Sequence, residues 1–270
     1  MRVLISADME GVTGTTGWDD VDPKKAPYER FRRLLTRDVN AAVEGAFEGG
    51  ATSVVVNEAH DGMRNILIEE LDERAELISG LHKPLIMMEG LEGCDVVFFT
   101  GYHARAGEPG VLAHTLNDDY RSVELNGEPA SEARLNATLA GERGTPVGVV
   151  SGDDVICAEA EKLFPGVKTA VVKVAIDNFS ARCLTPAASG RRIREAARSA
   201  LVERDGLRPY VLEPPFTMRI TLKEPAQAGA ATAVPGVVRE GPLIVSFTTD
   251  RYTDAYEELE AIGTIVGTVQ

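Results

Sequence analysis

Cysteine is scarce in this chain of 270 residues: Cys94, Cys157 and Cys183 stand far apart, with no CxxC pair. That excludes a disulfide framework and fits a reducing compartment. Basic residues are outnumbered, 28 against 42 acidic, for a net charge of −14. An acidic chain without a basic stripe is a poor match for nucleic acid or an anionic membrane. Solubility accounts for most of that acidity, and a few of the acids are candidates to serve a metal. No window stays apolar for the ~18 residues of a membrane span. The opening MRVLISADME lacks the basic leader and apolar stretch of a signal peptide, so the cytoplasm is the expected compartment. There is no G-x-S-x-G elbow, and no cysteine has a nucleophile's setting. GVTGTTG (11–17) fits neither G-x-x-x-x-G-K-[ST] nor G-x-G-x-x-G. Its glycines read as a flexible rim loop.

What is present is ordinary in bulk, 44% hydrophobic and 26% charged, but ordered in pattern. Nearly continuous apolar runs at 2–7, 51–59, 94–102, 146–152 and 168–175 read as strands covered on both faces. Between them, 28–48, 131–142, 154–163 and 186–203 carry helical spacing, and Gly49-Gly50 supplies a stop. This predicts an α/β fold: a mixed, mostly parallel central sheet with helices on both faces. RSVELNGEPA (121–130) reads as a hairpin turning at Asn126-Gly127. After residue 206 the strands alternate more clearly and a closing helix follows. We therefore expect a metal-binding α/β domain over 1–206 and a smaller α+β lobe over 207–270.

Four histidines make their placement informative. His60 and His103 each follow an expected strand, and Asp8 and Glu10 follow the first. Ligands in α/β folds bind outside the carboxyl ends of strands, so three strands would deliver two carboxylates and two imidazoles to one rim. That is a donor set for zinc and related metals. Glu132, beginning a helix that Ser131 can cap, is a candidate fifth ligand. A rival reading takes Asp8 as the nucleophile of a magnesium phosphatase, because DMEGVTGTT resembles Asp-x-Asp-Gly-Thr and GVVSGDD (148–154) offers Asp153 or Asp154 for the ion. Glu at position 10 and the unused histidines count against it, and Asp153-Asp154 reads more simply as a helix cap. A non-enzymatic peptide-binding scaffold ranks last, since no ligand is missing.

Taken together, SADMEGVTG (6–14), VVNEAHDGMRN (55–65), LISGLHKPLIMMEGL (77–91), GYHARAGEPGVLAHT (101–115), NGEPASEARLNA (126–137), VSGDD (150–154) and RCLTP (182–186) resemble the D-aminopeptidase family of zinc metallopeptidases. The resemblance implies two zinc ions per chain, held by Asp8, Glu10, His60, His103 and Glu132, with Asp8 bridging. It implies that His114 is the catalytic residue and that short peptides are the substrates. It also implies a homo-oligomeric ring, a decamer of two pentamers in the best-known member. The hand of the substrate's first residue is not legible here.

Overall fold

The computed structural model describes residues 1–269. The chain opens with β1 (Arg2–Ala7), the short α1 (Trp18–Val21) and the long α2 (Tyr28–Glu48). Then come β2 (Ser53–Glu58), β3 (Ala75–Ile78), β4 (Val96–Tyr102), and a hairpin of β5 (Tyr120–Leu125) and β6 (Glu128–Pro129). Next are α3 (Glu132–Glu142), β7 (Val147–Asp153), α4 (Asp154–Leu163), β8 (Lys168–Asp177), β9 (Ser180–Cys183) and α5 (Pro186–Val202). β10 (Phe216–Leu222), α6 (Pro225–Ala231), β11 (Val238–Arg239), β12 (Ile244–Thr249) and α7 (Tyr252–Val266) follow. None of the described helices is long and apolar enough to cross a membrane.

The central sheet has seven strands in the order β3-β2-β1-β4-β7-β8-β9, and only β9 runs antiparallel to its neighbour. The expected mostly parallel sheet is therefore present. Its two edges, β3 and β9, went unread in the sequence, because four half-exposed residues make no continuous apolar run. Alternate residues of the inner strands feed opposite layers. Val3 and Ile5 pack with α2 and α5, whereas Leu4, Phe99 and Tyr102 face the core that includes α3 and α7.

A second, antiparallel sheet has the order β11-β12-β10-β5-β6. The strands after residue 207 thus share a sheet with the hairpin of residues 120–129. Val123 and Leu125 gain cover from Met218, Ile220 and α7 in the same core. Asn126 and Gly127 sit at φ 52° and 79°, the two positive values a tight two-residue hairpin requires. α3 is buried on every side from Glu132 to Gly141. It packs against β4 on one side and α7 on the other.

The strand order reverses beside β1, with β2 and β3 on one side and β4, β7 and β8 on the other. Such a switch point opens a crevice at the strands' carboxyl ends. Here the exits of β1 and β4 are stitched together by Asp8 N–H donating to Thr100 O and Gly11 N–H donating to Gly101 O, both at 2.8 Å. A Cβ on Gly11 would stand 1.9 Å from Tyr102 O, and one on Gly101 2.1 Å from Asp8 O. Gly101 also holds φ +75°.

Gly101→Ala should therefore cost at least about 2 kcal/mol, lowering Tm by about 2–4 °C per kcal/mol. Gly50→Ala shares a positive φ but meets nothing within 4 Å, so it should cost about 1 kcal/mol. Equal losses in thermal unfolding would show that the close approach is not the constraint.

Candidate active site

Asp8, Glu10, His60, His114 and Glu132 line one cleft of about 980 Å³, and His103 packs against Asp8 and Glu132 beside it. Asp8 and Glu10 leave β1, His60 leaves β2, His103 leaves β4, and Glu132 begins α3. His60 Nδ1 stands 3.0 Å from Glu10 Oε2 and 3.5 Å from Asp8 Oδ1. His103 Nε2 stands 3.4 Å from both Asp8 Oδ2 and Glu132 Oε1. The two oxygens of Asp8 thus face different imidazoles. His114 stacks on His103, ring centroids 4.2 Å apart and planes nearly parallel, with Trp18 edge-on at 5.4 Å. Its Nε2 lies 3.9 Å from Glu10 and 4.0 Å from Glu132.

Backbone carbonyls set the tautomers, since a carbonyl can only accept. His60 Nε2 donates to Val21 O at 3.0 Å, His103 Nδ1 to Ala104 O at 2.9 Å, and His114 Nδ1 to Leu112 O at 2.9 Å. In each ring the other nitrogen is turned toward the carboxylates. Anchoring the outer nitrogen of an imidazole in this way is the usual support of a metal ligand.

The electrostatics point the same way. Burial and the Glu10 charge push the Asp8 carboxyl up. Burial also opposes the charge on Glu10, but His60, His114 and His103 outweigh it and hold that carboxyl well below the usual range. Glu132 is lowered too, because His103 prevails over burial. Burial disfavours charge on His60 and His103, yet Glu10 and Glu132 respectively, together with Asp8, raise both well above the ordinary imidazole value. Without a metal, the acids are neutralised by protons on these rings. A divalent cation replaces those protons. Asp8 Oδ2, Glu10 Oε2 and His103 Nε2 are buried without an aligned hydrogen-bond partner. Three orphaned donors aimed inward, from carboxylates and imidazoles, fit a borderline cation. Two triads present ligand atoms within 4.8 Å of one another: Asp8, Glu10 and His103, and His103, His114 and Glu132.

Asp153 caps α4, accepting from Val155 N–H and Ile156 N–H, and also accepts from Val111 N–H. That is the expected capping role; Asp154 accepts from Ala175 N–H at 2.7 Å, so both carboxylates offered to the phosphatase reading are engaged by backbone. The loop after Glu10 corrects another expectation: residues 11–16 are no flexible exit. Thr13 donates its N–H and hydroxyl to Asp38. Lys173, fully buried on β8, donates to the carbonyls of Glu10, Val12 and Thr15. Neither partner was legible, because each lies far along the chain with no local motif.

Burial pushes the Asp38 carboxyl up to about 6. Between that value and the ordinary ~4, native Asp38 holds a proton that the unfolded chain has lost. In metal-free protein, wild type should therefore gain stability relative to Asp38→Asn as pH falls from 6 to 4, by up to about 3 kcal/mol, and lose it again as pH rises through 6. Urea unfolding of both proteins across this window measures the difference; a flat difference refutes the assignment.

Known proteins resemble this chain in sequence and fold. A family model described as D-aminopeptidase matches residues 1–261. The D-aminopeptidase of Bacillus subtilis (strain 168) is 38% identical over 261 residues, spanning 96% of this chain and 95% of the relative. The solved structure of the Zn-dependent D-aminopeptidase DppA from Bacillus subtilis, described as a self-compartmentalizing protease, superposes with a TM-score of 0.97 at 36% identity. That match covers 100% of this chain and 99% of the other.

Proposed function

This chain belongs to the D-aminopeptidase family, and from that premise we propose that it is a zinc-dependent aminopeptidase removing an N-terminal D-residue from short peptides. The observation that carries the reading is the convergence of three buried carboxylates on two imidazoles whose outer nitrogens are anchored to backbone carbonyls. Asp8, Glu10, His60, His103 and Glu132 would hold two zinc ions. Asp8 would serve both, because its oxygens face separate groups: His60 with Glu10, and His103 with Glu132. When bound, zinc supplies Lewis acidity toward the scissile carbonyl and an attacking water.

The chain's own residues do the rest. Leu116 N–H, donating to Glu132 Oε1 at 2.6 Å, holds that carboxylate in its rotamer. His114 has Nδ1 committed to Leu112 O, so Nε2 is the atom free to hold or deliver a proton at the leaving amine. We assign it acid–base or oxyanion support, not nucleophilic attack. Trp18 and His103 fix its plane.

His103→Ala should reduce bound zinc from about two per chain and cut kcat/KM by more than the ~10–100-fold of outer-shell changes. His114→Ala should keep zinc at its full stoichiometry and lose about 10²–10⁴-fold in kcat. Zinc by elemental analysis, with hydrolysis of D- and L-aminoacyl p-nitroanilides, checks both. Full activity in metal-free protein, or cleavage of p-nitrophenyl phosphate alone, sinks the reading.

We further propose a homo-oligomeric ring, in keeping with the self-compartmentalizing relative. Native mass spectrometry should give about ten times the 29.0 kDa chain; a monomer would refute it.

A further inference from the structure

One cation on the cleft wall has no part in the metal cluster. Among the described lining residues there are two lysines, Lys24 and Lys83, and no arginine, against a wall otherwise rich in acids. Lys24 is exposed, whereas Lys83 is partly buried. Lys83 Nζ donates to Asn57 Oδ1 at 2.6 Å and to the Glu58 carbonyl. Asn57 is itself held, its Nδ2 donating to Ile86 O at 2.9 Å. Both acceptors of Lys83 are neutral, and an ammonium has three N–H groups. Among the described residues no carboxylate lies within ion-pair distance of it. Glu58 spends its oxygens on Asn65 and Ile66, and Glu89 accepts from Leu85 N–H. Burial brings the Lys83 ammonium down to about 8, with Glu58 and Glu89 favouring its charge. It therefore stays mostly cationic at neutral pH.

The loop that carries it is strained on both sides. His82 and Ile86 hold φ of 65° and 46°, conformations that non-glycine residues rarely adopt. A half-desolvated cation, clamped by neutral acceptors on a strained loop, is costly to keep unpaired. Its position gives the cost a purpose. It is fastened to Glu58, two residues before His60, and it lines the same cleft as Asp8, His60 and Glu132. A short peptide docked in that cleft with its scissile carbonyl at the cluster carries its carboxylate only one leaving residue further on.

We infer that Lys83 receives the C-terminal carboxylate of the peptide, so that the cleft selects short substrates with a free carboxylate; the inference rests on the aminopeptidase reading above. Ile86 and Met87 of the same wall offer apolar cover to the leaving residue. Lys83 is thus a specificity residue, distinct from the metal ligands.

The test compares zinc-loaded wild type, Lys83→Met and Lys83→Arg on D-alanyl-D-alanine and on its C-terminal amide. The acidic wall alone would favour the amide, which carries one more positive charge. Wild type should nonetheless prefer the acid. In Lys83→Met, kcat/KM for the acid should fall about 10- to 100-fold, the worth of a charged hydrogen bond, while the amide changes less than about threefold. Lys83→Arg should recover part of the acid preference. A parallel fall on both substrates would make Lys83 a brace for its loop and overturn the inference. So would a wild type without acid preference, even if Lys83→Met failed to fold. Hydrolysis of neither substrate by wild type would instead bring down the aminopeptidase reading, and this inference with it.

Discussion

The site depends on the close backbone approach between the exits of β1 and β4. At a switch point neighbouring loops diverge, and the crevice they leave is ordinarily too wide for side chains of both to share an ion. Here Gly11 and Gly101 remove the Cβ atoms that would hold the turns apart, and two backbone hydrogen bonds close the gap. The Asp8 and Glu10 carboxylates and the His103 imidazole then meet within one cluster. Glu132 joins because α3 is buried on all sides and cannot shift. Strand ends and helix starts, not mobile loops, therefore set the ligand positions.

That geometry is expensive. Three buried carboxylates at one place repel, and burying charge without a partner costs several kcal/mol. Protons on His60 and His103 relieve this in the metal-free chain; a divalent cation relieves it better. A second cost lies in the backbone. Among the described residues, apart from Asn126 in its hairpin turn, the non-glycine residues with positive φ are Asp61, Met63, His82, Ile86, Leu112 and Leu116. Five of the six line the cleft, and the sixth, Leu112, supplies the carbonyl that orients His114. Strain concentrated so narrowly is what a preorganised site requires, with two packed cores on either side of the central sheet sustaining it.

Much of this was legible beforehand, and the exceptions share a cause. The bounds of α2 follow from apolar spacing and the Gly49-Gly50 stop, both local signals. The five acid and imidazole positions were readable because each falls at an element's end. The edges β3 and β9 were not, having too few buried residues to make a pattern. The partnership of β5 with β10 joins segments about a hundred residues apart, and no local motif announces it. Lys173 is the extreme case: it stands 163 residues from Glu10, whose carbonyl it holds. Lysine in an apolar strand reads as a surface residue; only the fold reveals a buried cation that keeps the Glu10 loop from flexing.

The hand of the substrate, illegible in the sequence, becomes a question of geometry. Distinguishing mirror images at a carbon takes three fixed contacts around it, because two leave a rotation that exchanges the hands. Zinc held at the cluster of Asp8, Glu10, His60, His103 and Glu132 would fix the scissile carbonyl. With Lys83 holding the far carboxylate, the direction of the peptide across the cleft is fixed as well. The α-amino group then needs an acid, and Glu260 on α7 lines the same cleft without a cationic partner among the described residues. Once those three are set, the first side chain has one way left to project, and the lining it meets there decides the hand. Stereochemical preference in this reading belongs to no single residue. It would follow from a cation and an acid lining the same cleft as the carboxylate and imidazole cluster, which the glycine contact at β1 and β4 holds together.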